Sequence, residues 1–366
     1  MIVSTIDLFQ YKIRLNSLLR VKDQILEYRE GIILRMCDQQ GNTGLGEVAP
    51  LPGFHRENKK TVTTELHSII PLILEKEIPE SILTLNGNFD NHFSDFSLSP
   101  STRFGLELGL LNLCASIRHR PLYALLGVPQ TKLIYINGLI TVTPEYLNTE
   151  VPKLVEEGYQ TIKLKVGQQE IENEIETVRS VREMVGPHLK LRLDANRAWS
   201  LTQAIKFGKA VRNVDIEYIE EPVNDLSALQ TFYRETGLPY ALDESLSYIP
   251  PENLKTLDGL RAIILKPSFL GGLEKTAQLC QLAKSYNILP VLSCAFYSGL
   301  TLSALGQFAA VYTHPQTAHG LDTYKWFSED ILEIPFKTEN GQINLDALVE
   351  MGDKIREDII KPISND

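Results

Sequence analysis

Cysteine is scarce in this chain: four residues, Cys37, Cys114, Cys280 and Cys294, all too far apart to form a CxxC pair. A zinc knuckle needs closely spaced thiolates and a disulfide scaffold needs many more of them, so neither is indicated and reduced thiols are expected. Histidine is sparse too, seven residues with no HxH or HExxH spacing, which removes the common histidine-based metal motifs. No apolar run approaches the length of about 18 residues that a membrane span needs. The first ten residues lack the basic start and apolar core of a secretion signal. Positive charge is in deficit, with 36 Lys and Arg against 46 Asp and Glu, a net charge of −10, and no basic stripe. Phosphate binding needs a basic face, so a nucleic-acid partner is not expected. What remains is a soluble cytoplasmic protein, part of whose negative charge a bound cation can offset.

The chain is too long for one small domain, and a barrel of about 250 residues with a smaller partner fits its length. Up to Asp38 the pattern is short and alternating, as in Tyr11-Lys12-Ile13-Arg14-Leu15 and Gly31-Ile32-Ile33-Leu34-Arg35, which predicts antiparallel strands. A glycine-rich loop follows. From Lys59 to Glu75 and from Thr102 to Ile117 apolar residues fall at helical spacing, with Ser101 or Thr102 available as N-cap. Strands followed by helices predict an α+β domain over residues 1–125.

Beyond Pro121 short apolar runs alternate with amphipathic stretches, the pattern of βα units around a parallel sheet. Strands are predicted near 133–139, 161–165, 190–194, 216–220, 240–243, 262–266, 289–293 and 317–320. Helices between them begin near Pro144, Glu170, Ser200, Asp225, Pro251, Gly272 and Ser298. Eight strands and seven intervening helices are the count of an α/β barrel of (β/α)7β type over residues 126–330, not of an open doubly wound sheet. The remaining residues, 331–366, hold a strand-like Ile331 to Pro335 and a helical Leu345 to Glu357. They are expected to pack back on the first domain.

In such a barrel the C-terminal ends of the strands point into one mouth, so side chains distant in sequence converge there. Lys163 and Lys165 end the second strand, Asp194 the third, Glu220 the fourth, Asp243 the fifth and Lys266 the sixth. The steps from Lys165 onward are 29, 26, 23 and 23 residues, each about one βα unit. Three converging carboxylates repel one another unless they take up protons or a cation. Hard oxygen ligands without histidine or cysteine favour Mg²⁺ over zinc. Each acid alone reads equally well as a helix cap or a surface pair; three on consecutive strand ends read best as a metal site. The lysines flank the acids in strand order. A lysine near a cation and a second lysine has its pKa lowered from about 10.4, toward a base able to take a proton from carbon beside a carboxylate.

The segments Ile162-Lys163-Leu164-Lys165-Val166-Gly167, Leu193-Asp194-Ala195-Asn196-Arg197-Ala198-Trp199, Ile219-Glu220-Glu221-Pro222, Leu242-Asp243-Glu244-Ser245 and Leu265-Lys266-Pro267 resemble the ordered motif set of the enolase superfamily. Within it the muconate lactonizing subgroup is the nearest likeness. The resemblance covers nearly the whole chain, including Arg103-Phe104-Gly105-Leu106-Glu107, and implies a modified TIM barrel with an N-terminal capping domain. It also implies roles. Lys165 is the base, and Lys163 assists it and contacts the substrate carboxylate. Asp194, Glu220 and Asp243 ligate Mg²⁺, with Mn²⁺ as a substitute, and Lys266 lies on the opposite face. Asn196, Glu221 and Glu244 orient the ligands.

Two further stretches, Lys266-Pro267-Ser268 with Gly271-Gly272-Leu273-Glu274-Lys275, and Gly320-Leu321-Asp322-Thr323, resemble the o-succinylbenzoate synthase family of menaquinone and phylloquinone biosynthesis. That likeness implies a syn dehydration in which Lys165 removes a proton and returns it to the departing hydroxyl, while Lys266 stabilises the enediolate. Dipeptide epimerases carry an Asp-x-Asp on the eighth strand for the substrate amine, and Leu321-Asp322-Thr323 leaves that pattern incomplete. Epimerisation of dipeptides or N-acylamino acids and muconate cycloisomerisation share the same proton abstraction and stay open on these residues. A barrel holding a structural ion is a further alternative, though it has no use for lysines that oppose the ion.

The partner implied is a small-molecule carboxylate, and the oligomeric state is open. Its contacts are sought at Lys163 and at Phe54, in the Gly- and Pro-rich stretch Gly46 to Phe54, which reads equally as turns. Beyond the seventh strand, Ser293, Ser298 and Gly299, with Cys294 and Phe296, sit where a hydroxyl or helix N-terminal amides can hold a succinyl carboxylate. Arg192, two residues before Asp194, either reaches the mouth or pairs with a neighbouring acid.

Overall fold

The structure is a computed structural model that describes residues 1–74, 76–140, 146–352 and 354–363. Two long antiparallel strands come first, β1 (Thr5–Val21) and β2 (Gln24–Cys37), and β3 (Thr43–Val48) pairs beside β2. The alternation read in the sequence is the cause: Tyr11, Ile13 and Leu15 are buried, and Lys12 and Arg14 between them are exposed. The helix Pro100–Ile117 lies directly on β3 across a glycine seam. A side-chain carbon on Gly46 would stand 2.1 Å from the Gly105 carbonyl oxygen. This helix starts earlier than predicted, because Pro100 suits the first helical position; its N-cap is Ser99, not Ser101 or Thr102. The other predicted helix spans Lys59–Ile73, where the Asn58 side chain accepts from Thr61 N at 3.0 Å. The predicted end at Glu75 lies outside the described residues.

The barrel strands follow. β4 (Leu133–Ile136) and β5 (Gly138–Ile140) are halves of the first, broken at Asn137. Then come β6 (Thr161–Lys165), β7 (Lys190–Asp194), β8 (Ile216–Glu220), β9 (Tyr240–Leu242), β10 (Leu260–Leu265), β11 (Leu289–Leu292) and β12 (Ala318–His319). β5 to β11 form one parallel sheet in chain order. The eighth strand closes it: Gly320 N donates to Leu292 O at 2.8 Å, Asn137 N donates to His319 O at 2.9 Å, and β12 pairs in parallel with β4. Every predicted barrel strand is present to within two residues.

The predicted helix starts at Glu170, Ser200, Gly272 and Ser298 are the N-caps of Ile171–Val185, Leu201–Val211, Leu273–Ser285 and Gly299–Tyr312. After Asp225 a 3-10 turn leads into Leu229–Thr236. At Pro251 only a short 3-10 segment, Pro251–Thr256, forms. The start near Pro144 lies outside the described residues, and Leu147–Glu156 is helical beyond it. The last residues return to both parts of the molecule. β13 (Gln342–Asn344) pairs with β4, and β14 (Lys361–Pro362) pairs with β1. Ile331 to Pro335 is no strand but a single bridge, Leu332 to Ile355, and the helix there is Leu345–Met351, stopped short of Glu357 by Gly352 at φ +55°.

Inside the barrel Tyr218, Ala241, Ala262, Ile264 and Val291 pack together. Tyr218, Ala241, Ile264 and Val291 each lie two residues before Glu220, Asp243, Lys266 and Ser293. Side chains two apart on a strand share a face, so this apolar layer is the floor, and the functional groups stand above it in the mouth. Among the described residues no helix is long and apolar enough to cross a membrane.

Candidate active site

The strand ends open into a cavity of about 830 Å³ lined by Lys163, Lys165, Asp194, Glu220, Asp243 and Lys266, among others. Lys163 Nζ lies between two acids, 2.7 Å from Glu220 Oε2 and 2.9 Å from Asp194 Oδ2. Lys165 Nζ is 2.6 Å from Asp194 Oδ2 and 2.6 Å from Asn196 Oδ1. On the far side Lys266 donates to Asp243. The three acids are buried, Lys163 and Lys266 keep 15% of their side chains exposed, and Lys165, with a quarter exposed, is the most accessible of the three lysines lining the cavity.

The electrostatics of this ring are unequal. Burial alone would raise the Asp194 carboxyl, but the Lys163 and Lys165 ammonium groups outweigh it and hold the group far below the usual carboxylate range. Glu220 goes the other way: burial, then the charge of Asp194, push it up to about 8, and Lys163 offsets only part of that. Burial works against charge on Lys163 and Lys266 too, yet the facing carboxylates pull both upward. Among the described residues no three His, Cys, Asp or Glu side chains stand grouped as a ready metal site; ammonium groups are interleaved with the acids instead. The donor set nevertheless fits a hard cation. The candidate ligands Asp194, Glu220 and Asp243 are all carboxylates, Lys163 Nζ bridges two of them as a positive group, and Glu220 Oε1 is buried with no hydrogen-bond partner.

Two of the residues expected to orient the ligands hold unusual backbone. Asn196 and Glu221 have φ +43° and +46°, conformations that cost a non-glycine residue energy and cluster where side chains must be aimed. Glu221 accepts from Asp243 N at 2.8 Å, Ser245 N at 2.9 Å and Ser245 Oγ at 2.5 Å, so it pins the backbone that carries Asp243. Burial raises it to about 7 despite those bonds. Asn196 N donates to Asp194 Oδ1 at 3.1 Å. Glu244 lines the cavity, and its Oε2 is buried without a partner.

Several expected substrate contacts lie elsewhere. Ser298 Oγ donates to Glu47 Oε2 at 2.7 Å and its amide to Glu47 Oε1 at 3.1 Å, while Gly299 N donates to Asp330 Oδ1 at 3.0 Å. The start of this helix is thus capped from inside the protein, and neither residue is open to a substrate carboxylate. Arg192 does not reach the mouth. Fully buried, it donates to Glu217 Oε2 at 2.6 Å and to Ala318 O at 2.7 Å, level with the apolar floor. Ser293, Cys294, Phe296 and Phe54 do line the cavity. Phe54 sets its ring 4.5 Å from Lys266 Nζ.

Two family models match the chain. One, described as Enolase C-terminal domain-like, covers residues 147–358, and the other, MenC, N-terminal domain, covers residues 3–113. The o-succinylbenzoate synthase of Aliivibrio salmonicida is 30% identical over 89% of this chain and 92% of its own length. The chain belongs to the o-succinylbenzoate synthase family. The family's enzymes are hydro-lyases of the enolase superfamily. Protein PHYLLO, chloroplastic, of Arabidopsis thaliana is 34% identical over 90% of this chain, which spans 21% of that longer protein. Among solved structures, the L-Ala-D/L-Glu epimerase of Bacillus subtilis superposes with TM-score 0.82 at 22% identity, covering 94% of this chain and 96% of its own. The dipeptide epimerase of Cytophaga hutchinsonii, complexed with Mg and D-Ala-L-Val, gives 0.84 at 22% identity over 99% of both chains. At that identity they attest the fold, an α/β barrel with an antiparallel capping sheet.

Sequence reading of this family member missed the β1–β2 hairpin tip. Residues from Ser17 to Lys22 line the cavity, although their sequence, half apolar with Leu18, Leu19 and Val21, reads only as the end of a strand. It also missed Arg29, a lone arginine in a strand whose partners are all backbone carbonyls. No side-chain motif announces such a role.

Proposed function

We propose that this protein is an o-succinylbenzoate synthase, which dehydrates 2-succinyl-6-hydroxy-2,4-cyclohexadiene-1-carboxylate to 2-succinylbenzoate, as in menaquinone or phylloquinone biosynthesis in a cytoplasm. Lys165, the most exposed of the three lysines lining the cavity, takes the proton alpha to the ring carboxylate. It then delivers that proton to the hydroxyl on the same face as the C–O bond breaks, so water leaves and the ring becomes aromatic. Lys163 binds the ring carboxylate. Lys266, across the ring of acids, balances the negative charge that grows on the carboxylate oxygens as the C–H bond breaks. Asp194, Glu220 and Asp243 hold Mg²⁺, or Mn²⁺ in its place, and the cation supplies positive charge to the same oxygens. Asn196, Glu221 and Glu244 keep the ligands aimed. In this reading residues 1–125 cap the barrel of residues 126–330, and residues 331–366 fasten the two.

The observation that carries the reading is the placement of Lys165 and Lys266 on opposite flanks of one acid ring. It suits an epimerase equally, so a second observation is needed. Asp322, the eighth-strand acid that would meet a substrate amine, accepts from Tyr159 OH at 2.7 Å and lies 3.5 Å from Lys325 Nζ. Its Oδ1 is thus engaged within the protein, which leaves the acid less free to hold an ammonium group and supports dehydration. The test is ultraviolet absorbance: with Mg²⁺ and the cyclohexadiene carboxylate, aromatisation is expected, and a dipeptide panel should show no epimerisation. The reverse result would transfer the assignment to the epimerases.

A further inference from the structure

We propose that Arg29 is a positioning residue for this reaction: it fastens the capping-sheet loop bearing Leu51 and Phe54 to the loop after β11, and so sets Phe54 against Lys266. The inference rests on the dehydratase reading. Arg29 is 1% exposed, and every hydrogen bond it makes among the described residues goes to a carbonyl oxygen. Nε donates to Phe296 O at 2.8 Å, Nη1 to Glu30 O at 2.9 Å and Pro50 O at 3.2 Å, and Nη2 to Ala49 O and, at 3.4 Å, to Ala295 O. A guanidinium spreads five donors over a rigid plane, so it joins three chain segments in one fixed geometry, which the three rotatable donors of an ammonium group do not impose.

The joined segments are walls of the cavity. Ala295 and Phe296 line one side, with Phe296 held at φ +55°. Leu51 and Phe54 follow Pro50 on the other. Their turn is itself rigid, because Phe54 N and His55 N both donate to Leu51 O and His55 Nδ1 accepts from Leu51 N at 2.9 Å. His55 Nε2 then lies 3.3 Å from Ser268 Oγ, two residues beyond Lys266. The Phe54 ring ends 4.5 Å from Lys266 Nζ and 5.0 Å from the Phe269 ring. Arg29 touches neither the acids nor the lysines, yet it determines where the aromatic face over Lys266 stands.

The test is a cycle on the full chain with Arg29→Lys, Phe54→Ala and the double variant. It reads kcat and KM for dehydration, hydrogen exchange without substrate, and melting temperature. Arg29→Lys should lower kcat about tenfold, since small misplacements near the reacting centre cost rate, and change KM by less than about threefold. The double variant should be no slower than Phe54→Ala alone, because both act through one contact. Exchange should quicken at residues 49–55 and 294–297 only. Parental kinetics in Arg29→Lys, multiplicative losses, or exchange unchanged in those two segments would each overturn the proposal. If the parent protein does not aromatise the diene, the dehydratase reading falls, while exchange at those segments still decides whether Arg29 holds them. If Arg29→Lys does not fold, Arg29→Gln, which keeps two donors, takes its place.

Discussion

The half of the cavity rim built from β6 to β10 and the half built from β11, β12 and the capping loops use charge in opposite ways. On the first half, carboxylates and lysines are brought face to face, and Glu220 Oε1 is left buried and unpartnered. On the second, most of the named polar groups are met within the protein, Ser298 by Glu47, Gly299 by Asp330, Asp322 Oδ1 by Tyr159 and Arg29 by carbonyls, while Thr323 Oγ1 is buried without a partner. Reactive charge needs an unmet demand that substrate or cation completes. Selectivity needs a wall of fixed shape, and polar groups already satisfied make it rigid.

The largest expected effect tests the first half. Lys165→Ala should lower kcat for dehydration by about 10⁴-fold, the upper range for loss of a general base, whereas Lys266→Arg, which keeps the charge, should lose only about tenfold. Equal loss in both, with racemisation by the parent, would place both lysines in proton transfer and sink the dehydratase assignment. Next, Glu221→Gln should weaken Mg²⁺ binding by about 10- to 100-fold in calorimetry, because Glu221 pins the backbone of Asp243. An unchanged affinity would mean that the acid ring does not depend on that support.

The Glu220 carboxyl stands at about 8, so proton and cation compete for the same oxygens and below pH 8 a proton must leave as the metal binds. Apparent Mg²⁺ affinity should therefore rise from pH 6 to pH 8, by up to about tenfold per unit, and level off above. A flat profile would put Glu220 outside the metal site. The smallest catalytic effect belongs to the second half. Ser298→Ala should leave kcat/KM within about twofold, yet cost about 1–2 kcal/mol of stability through the partner lost by buried Glu47. A large rise in KM instead would restore Ser298 as a substrate contact.

Much of the first half was readable before the structure. A strand's two-residue alternation and the βα repeat place Lys165, Asp194, Glu220, Asp243 and Lys266 on one rim, and both are local properties of the chain. Arg192 shows where that reading fails. It shares the inward face with Asp194, but one step lower, where Glu217 waits on the neighbouring strand. The same parity rule thus cannot tell mouth from floor. Ser298 shows a second limit: a hydroxyl at a helix start reads as an anion site, and only the docking of β3 brings Glu47 to fill it.

By itself, then, the sequence determined the barrel count, the order of acids and lysines, and the class of chemistry, because the alternation within each strand and the regular βα spacing between strands place those residues on one rim. Tertiary structure alone decided which polar groups stay free for substrate, that Phe54 faces Lys266, and that Arg29 ties the two loops. Those outcomes depend on residues hundreds of positions apart, Arg29 with Phe296 and Glu47 with Ser298. No local pattern encodes who meets whom across the closing of a domain over a barrel.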